Sequence, residues 1–215
     1  MIKILGPIFL FVYLFTPGIS KADSAYELKA IMGVGWSQPK ELNEGLNEKL
    51  QVNALLTFGS DFLVFPKLSS DWLNGSVGIG LRFDSISSIK SSDGEAFEVA
   101  SRNFSILVDK RWQIEQFFYG IVGAVAFYQP TVVNQQQTSG VWTQYEAQNS
   151  TGFSIGVNSG WIFDIYVLGG EFGYQYLRFN EFKSTSSEYL TSSTGNHKSA
   201  NLDHLFGKIY LGLHF

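Results

Sequence analysis

The chain closes with Gly207-Lys208-Ile209-Tyr210-Leu211-Gly212-Leu213-His214-Phe215, and these nine residues decide how the rest is read. In an extended strand Ile209, Leu211, Leu213 and Phe215 share one face, and Lys208, Tyr210, Gly212 and His214 share the other. One wholly apolar face and one polar face suit a strand with lipid on one side and a polar interior on the other.

The same period of two recurs seven times upstream. Residues 26–37 set Leu28, Ala30, Met32, Val34 and Trp36 against Glu27, Lys29, Gly33 and Gly35. Residues 50–65 set Val52, Ala54, Leu56, Phe58, Phe62 and Val64 against Gln51, Asn53, Thr57, Gly59 and Asp61. A third segment opposes Val77, Ile79, Leu81 and Phe83 to Gly78, Gly80, Arg82 and Asp84. A weaker fourth opposes Phe104, Ile106 and Val108 to Asn103, Ser105 and Asp109. In the fifth, Phe117, Tyr119, Ile121, Val125 and Phe127 oppose Gly120, Ala124 and Ala126, beside the bulkier Phe118 and Val122. The sixth and seventh put Phe153, Ile155, Val157 and Trp161, then Leu168, Phe172, Tyr174 and Tyr176, opposite Ser154, Gly156, Asn158, Gly160, Gly169, Glu171, Gly173 and Gln175.

The connections alternate in length. Long polar stretches lie around residues 38–49, 85–98, 129–150 and 180–202, and short ones at 66–71, at 110–113 and at Phe163-Asp164. The sequence therefore predicts an all-β fold: an eight-stranded antiparallel up-and-down transmembrane barrel with short periplasmic turns and four long extracellular loops. A secreted β-sandwich could alternate as well, but nothing would sort its loops this way. Aromatic residues gather near segment ends, as rings that favour the headgroup level would.

At the other end of the chain, the basic start Met1-Ile2-Lys3 precedes an apolar run from Ile4 to Phe15, then Pro17-Gly18 and Ser20-Lys21-Ala22. The run is short of the roughly 20 residues that span a bilayer. It reads as a cleaved signal peptide over 1–22, leaving one domain over 23–215. Removing Lys3 and Lys21 takes the 15 basic residues to 13 against 19 acidic ones, a mature charge of −6. That acidic balance argues against a nucleic-acid partner. Cysteine is absent, so stability must come from backbone pairing and packing. Aromatics at 16% and 22 glycines, with mean hydropathy near zero, fit a barrel whose lipid-facing and polar residues alternate.

Taken together, the leader, the strand count, the loop alternation and the terminal Phe215 resemble the small eight-stranded bacterial outer-membrane barrels of the OmpA and OmpX type. The resemblance implies an exported, monomeric outer-membrane protein in contact with lipid and lipopolysaccharide. It also implies delivery by periplasmic chaperones and the barrel-assembly machinery, with Tyr210, Leu211, Leu213 and Phe215 as the assembly signal. Exposed loops would serve adhesion, recognition or protection, and some relatives pass small solutes.

Eight strands leave an interior just wide enough for side chains to fill. The inward set carries Glu27, Lys29, Asp61, Arg82, Asp84, Glu171, Lys208, Tyr210 and His214. Buried charges persist only when paired. The expected arrangement is a lumen ion-pair network of Glu27, Asp61, Arg82, Asp84, Glu171 and Lys208, with Arg82 and Lys208 bridging Asp61, Glu171 and Glu27. Such a network either plugs the barrel or lines a narrow pore.

Among the loops, Trp142, Tyr145 and Tyr189 are candidate anchors for a glycan or protein ligand. His197-Lys198-Ser199, with Asp203 beyond, offers a thin likeness to lipid A deacylases, which need a Ser nucleophile and a His base. The three histidines, His197, His204 and His214, fit no zinc spacing, and no cofactor or metal is expected.

Overall fold

The computed structural model describes residues 25–37, 39, 43, 51–66, 75–92, 94–136, 140–148, 150–184 and 199–215. The expected signal peptide lies outside the described residues. Within them the chain forms β1 (Ala25–Trp36), β2 (Ala54–Phe65), β3 (Ser76–Ser92), β4 (Glu95–Ile114), β5 (Phe117–Tyr128), β6 (Thr131–Gln136), β7 (Trp142–Gln148), β8 (Thr151–Phe163), β9 (Tyr166–Phe179), β10 (Glu181–Ser184), β11 (Ala200–Asn201) and β12 (His204–His214).

Eight of these close a ring. The order β1-β2-β3-β4-β5-β8-β9-β12 is antiparallel at every step, and β12 returns to β1 with Glu27 opposite His214 and Trp36 opposite Leu205. The last residue completes the seam. Tyr26 N donates to Phe215 O at 2.7 Å, Phe215 N donates to Tyr26 O at 3.0 Å, and the two rings stack at 6.1 Å.

The four remaining strands lengthen the wall at the loop end. On β4 the lower residues pair with β5, whereas Ala96–Ser101 pair with β6. Above the β5–β8 pair, β6 pairs with β7, and β7 then pairs with β10. Each upper strand continues a lower one across a kink. Between β5 and β6 the kink is Gln129-Pro130, where Arg102 N donates to Pro130 O at 2.9 Å, beside a register shift at Phe104/Ser105.

Several sequence expectations need correction here. Residues 85–92 and 95–98 are strand rather than long loop: β3 and β4 stay paired out to Ser92 and Glu95, because small polar residues hydrogen-bond as a solvated hairpin. Strands also occupy much of 129–150 and part of 180–202. Residues 110–113 are not a connection. Trp112 keeps to the outer face and Arg111 is buried within, and the turn is Glu115-Gln116. Val52 is not lipid-facing; β2 begins at Ala54, and Val52 is buried at the loop end.

The tight turns, Glu115-Gln116 and Asp164-Ile165, each open on a left-handed residue, with φ of 55° and 54°. They lie at the same end of the barrel as Tyr26 and Phe215. The sides of the wall are inverted relative to a soluble protein. Met32, Leu56, Ile79, Leu81, Ile106, Val125, Ile155 and Leu211 are exposed, whereas Glu27, Asp61, Arg82, Asp109, Arg111 and Glu171 are buried. Aromatic clusters bound the belt. Phe117 meets Trp161 at 5.4 Å toward the turn end, and Phe104 meets Phe83 and Tyr128 at 5.0 and 5.7 Å toward the loop end. A closed, apolar-jacketed ring with a charged interior is a transmembrane β-barrel.

Inward glycines make room for inward rings. A Cβ on Gly78 would lie 2.6 Å from the Phe65 ring, and one on Gly160 would lie 2.9 Å from Phe118. Gly169 sits in the same way beneath Tyr210, and Gly173 beneath Phe206. Gly78→Ala should therefore destabilise the barrel by about 1–3 kcal/mol through overpacking. Gly123→Ala, whose Cβ would meet nothing nearer than 3.8 Å, should stay within roughly 0.5 kcal/mol of wild type. Urea unfolding in detergent, followed by tryptophan fluorescence, reads both.

Candidate functional site

Two guanidinium-centred clusters occupy the lumen. Arg82, on β3, reaches both neighbouring β2 and distant β9. Its Nε and Nη2 donate to Asp61 Oδ1 and Oδ2 at 2.8 and 2.9 Å, while Nη1 and Nη2 donate to Glu171 Oε1 and Oε2 at 2.9 and 2.6 Å. Both contacts are bidentate, a geometry that arginine's planar fork allows and lysine's ammonium does not. Beside it Lys208 donates to Asp84 at 3.4 Å and lies over the Phe206 ring at 4.4 Å.

The second cluster centres on Arg111 of β4. Nη1 and Nη2 donate to Glu27 at 2.7 and 2.8 Å, and Nε and Nη2 donate to Asp109 Oδ2 at 3.0 and 2.6 Å. The guanidinium is held between the Phe65 and Phe118 rings, at 4.4 and 4.3 Å. Lys29 stands 3.3 Å from Glu27 and 3.7 Å from Asp109, over the Tyr210 ring. Asn158 donates to the remaining Asp109 oxygen at 2.9 Å, and His214 Nδ1 lies 3.1 Å from Glu27.

Among the described residues, five buried carboxylates (Glu27, Asp61, Asp84, Asp109, Glu171) thus face four buried cations (Lys29, Arg82, Arg111, Lys208). The clusters are thus close to charge balance, with one carboxylate in excess. Attraction in a low-dielectric interior offsets the desolvation cost only with this kind of saturated geometry.

Above the charges come the buried polar side chains of Thr57, Asn103, Gln175 and His204, and beyond them the lumen turns apolar. Leu55 of β2, Ile86 of β3, Phe97 and Val99 of β4, Leu177 and Phe179 of β9 and Phe182 of β10 form one buried cluster with Val133 and Leu202. β3 and β9 stand four places apart in a ring of eight, so the cluster spans the mouth.

The expected network residues fall into both clusters. Asp61, Arg82 and Glu171 come together. Glu27 does not join them; it belongs to Arg111, because β1 and β4 project into the turn half of the lumen. Among the described residues Lys208 pairs with Asp84 rather than bridging Asp61, Glu171 or Glu27. Sequence reasoning passed over Arg111 and left Asp109, Lys29, Asn158 and His214 without partners. Carrying the alternation Asn103-Ser105-Leu107-Asp109 one step further would have turned Arg111 inward.

At the C-terminal strand, Tyr210 is buried inward while Leu211, Leu213 and Phe215 face out. Of the loop candidates, Trp142 is exposed at the start of β7, Tyr145 packs against the apolar cap, and Tyr189 lies outside the described residues. So does His197. Ser199 is exposed, and Asp203 accepts from Ser37 Oγ through its backbone oxygen at 2.7 Å. His204, deeply buried, has Nδ1 3.0 Å from Leu202 O.

No protein-family model matches this chain, and no characterised protein matches it in sequence. Among solved structures it is similar to the outer membrane protease OmpT of Escherichia coli, at 10% identity and TM-score 0.48 over 93% of this chain and 99% of that one. It is also similar to Neisserial surface protein A, at 10% identity and TM-score 0.41 over 87% and 95% of the two chains. A major outer membrane protein of Thermus thermophilus aligns at 10% identity and TM-score 0.43 over 86% and 99%. The barrel assignment rests on the strand pairing itself.

Removing one member of a saturated buried cluster strands the others. Arg82→Met should cost about 3–5 kcal/mol, because Asp61 and Glu171 are left as unpaired buried charges. Adding Asp61→Asn and Glu171→Gln to Arg82→Met should return most of that loss. Urea unfolding of the single and triple variants compares them, and a triple variant no more stable than the single one would contradict the account.

Proposed function

We propose that this is an integral outer-membrane protein with a sealed lumen, acting at the cell surface through the structure at its loop end. The observation that carries the reading is the stacking of two blockades. Arg82 ties β2 to β9 across the lumen, Arg111 ties β4 to β1, and the apolar cap lies above both. An ion crossing this interior would have to break bidentate charge pairs and then enter an apolar layer, both steeply unfavourable. The charges serve as a plug. Stable surroundings of this kind suit a rigid pedestal for contact residues such as Trp142 and, outside the described residues, Tyr189.

In this reading the barrel sits among outer-membrane lipid and lipopolysaccharide, reached by export and by the periplasmic chaperones and barrel-assembly machinery. An extracellular glycan or protein is the partner, met by a monomer.

Refolded barrel that shows heat-modifiable gel mobility should stay silent in planar bilayers. Discrete conductance steps altered by Arg82→Ala or Glu171→Ala would overturn the sealed reading in favour of a narrow pore. A lipid A mass shift on expression, lost with Ser199→Ala, would move the function to a deacylase.

A further inference from the structure

The lipid-facing belt is not evenly filled. Most outward positions carry large apolar residues, but Ser159 of β8, Gly170 of β9 and Gly207 of β12 are small and lie on adjacent strands. They floor a groove of about 660 Å³. Ile121, Val157, Phe172 and Ile209 wall it, and Trp112 and Tyr119 line its end toward the tight turns. These glycines differ from the inward ones. A Cβ on Gly207 would meet nothing within 4 Å, and one on Gly170 only the Lys208 carbonyl oxygen at 3.3 Å. Among the described residues, no side chain of this protein is waiting to fill the space.

Three features define what fits. The groove is apolar and opens sideways from the belt, so its occupant comes from the hydrocarbon phase. Its lower end is marked by Trp112 stacked on Tyr119 at 5.7 Å, with Lys110 Nζ 5.3 Å from the Trp112 ring centroid. Aromatic rings beside a cation are what the headgroup level of a membrane favours, and the cation complements a phosphate. Its depth is that of one leaflet. Tyr119 stands two residues from Phe117 at the turn end of β5, and Gly207 stands eight residues from Phe215, a climb of 8 − 2 = 6 residues. At about 3.3 Å per residue and a tilt of about 40°, six residues rise roughly 15 Å, half of a hydrocarbon core about 30 Å thick.

We propose that this groove seats one acyl chain of a phospholipid from the periplasmic leaflet, its phosphate at the level of Lys110 and Trp112. The proposal rests on the outer-membrane reading, which puts the tight turns, with Tyr26 and Phe215 beside them, on the periplasmic side. The chain lies along Ser159, Gly170 and Gly207, and its methylene groups complete the packing that larger side chains supply elsewhere on the belt.

The test is native mass spectrometry of protein inserted into vesicles of phosphatidylethanolamine and phosphatidylglycerol, then extracted into detergent. Heat-modifiable mobility is checked before extraction. Wild type should carry one phospholipid through detergent washes that strip it from Ser159→Leu/Gly207→Leu. Gly123→Leu, which matches the Gly207→Leu enlargement elsewhere on the outer face, should keep the lipid. Equal retention by the filled variant, or no retention by wild type, would overturn the proposal. So would a wild-type dimer that the filled variant breaks, since the occupant would then be a second copy. Failure of wild type to insert at all would overturn the membrane reading along with it, and the mobility check separates that outcome from the others.

Discussion

In hydrocarbon there is no water to satisfy an amide, so every backbone N–H and C=O in the belt must find its partner within the chain. This constraint governs the molecule. It forbids an open edge, and so β12 returns to β1 and Phe215 exchanges two hydrogen bonds with Tyr26. The terminal residue is part of the seam rather than a tail beyond it. The same constraint accounts for the two tight turns, which give up only two residues each between paired strands and accept a left-handed glutamate and aspartate to do so.

Closing the ring fixes its diameter, and the diameter creates the second problem of filling the inside. The solution has three layers. Rings set over glycines fill volume near the turn end, with Phe65 over Gly78 and Phe118 over Gly160. Charge clusters run from that level, where Arg111 lies between those two rings, up to Arg82, and both arginines reach carboxylates on other strands. An apolar cluster fills the loop end. The two guanidiniums also tie the wall together, since each joins strands that are not neighbours. The sealed reading proposed for the lumen and the stability of the barrel rest on the same packing.

Outside the membrane the constraint relaxes, and the chain behaves differently. Small polar residues such as Ser87, Ser88, Ser91 and Ser92 remain in a paired hairpin, although nothing in their alternation separates two environments. β6, β7 and β10 likewise continue lower strands after kinks. Water competes for every hydrogen bond there, so strand is a matter of pairing partner rather than of side-chain pattern. That is why these residues read as loop.

What the sequence determined by itself is the part imposed by two solvents. A lipid outside and a packed interior within write a period of two, and eight such segments specify a closed ring with Glu27, Asp61, Arg82 and Glu171 facing in. Period two assigns a face but carries no information about register or shear. Those decide that Glu27 meets Arg111 while Glu171 meets Arg82, since partners 84 and 89 residues apart are brought together by the stagger of strands around the ring. Arg111 was obscured because Asp109-Lys110-Arg111 is as polar as a turn, and only its neighbours across the lumen make it interior. The groove over Ser159, Gly170 and Gly207 is likewise tertiary. Three small residues on three strands form one depression only once the pairing sets them side by side.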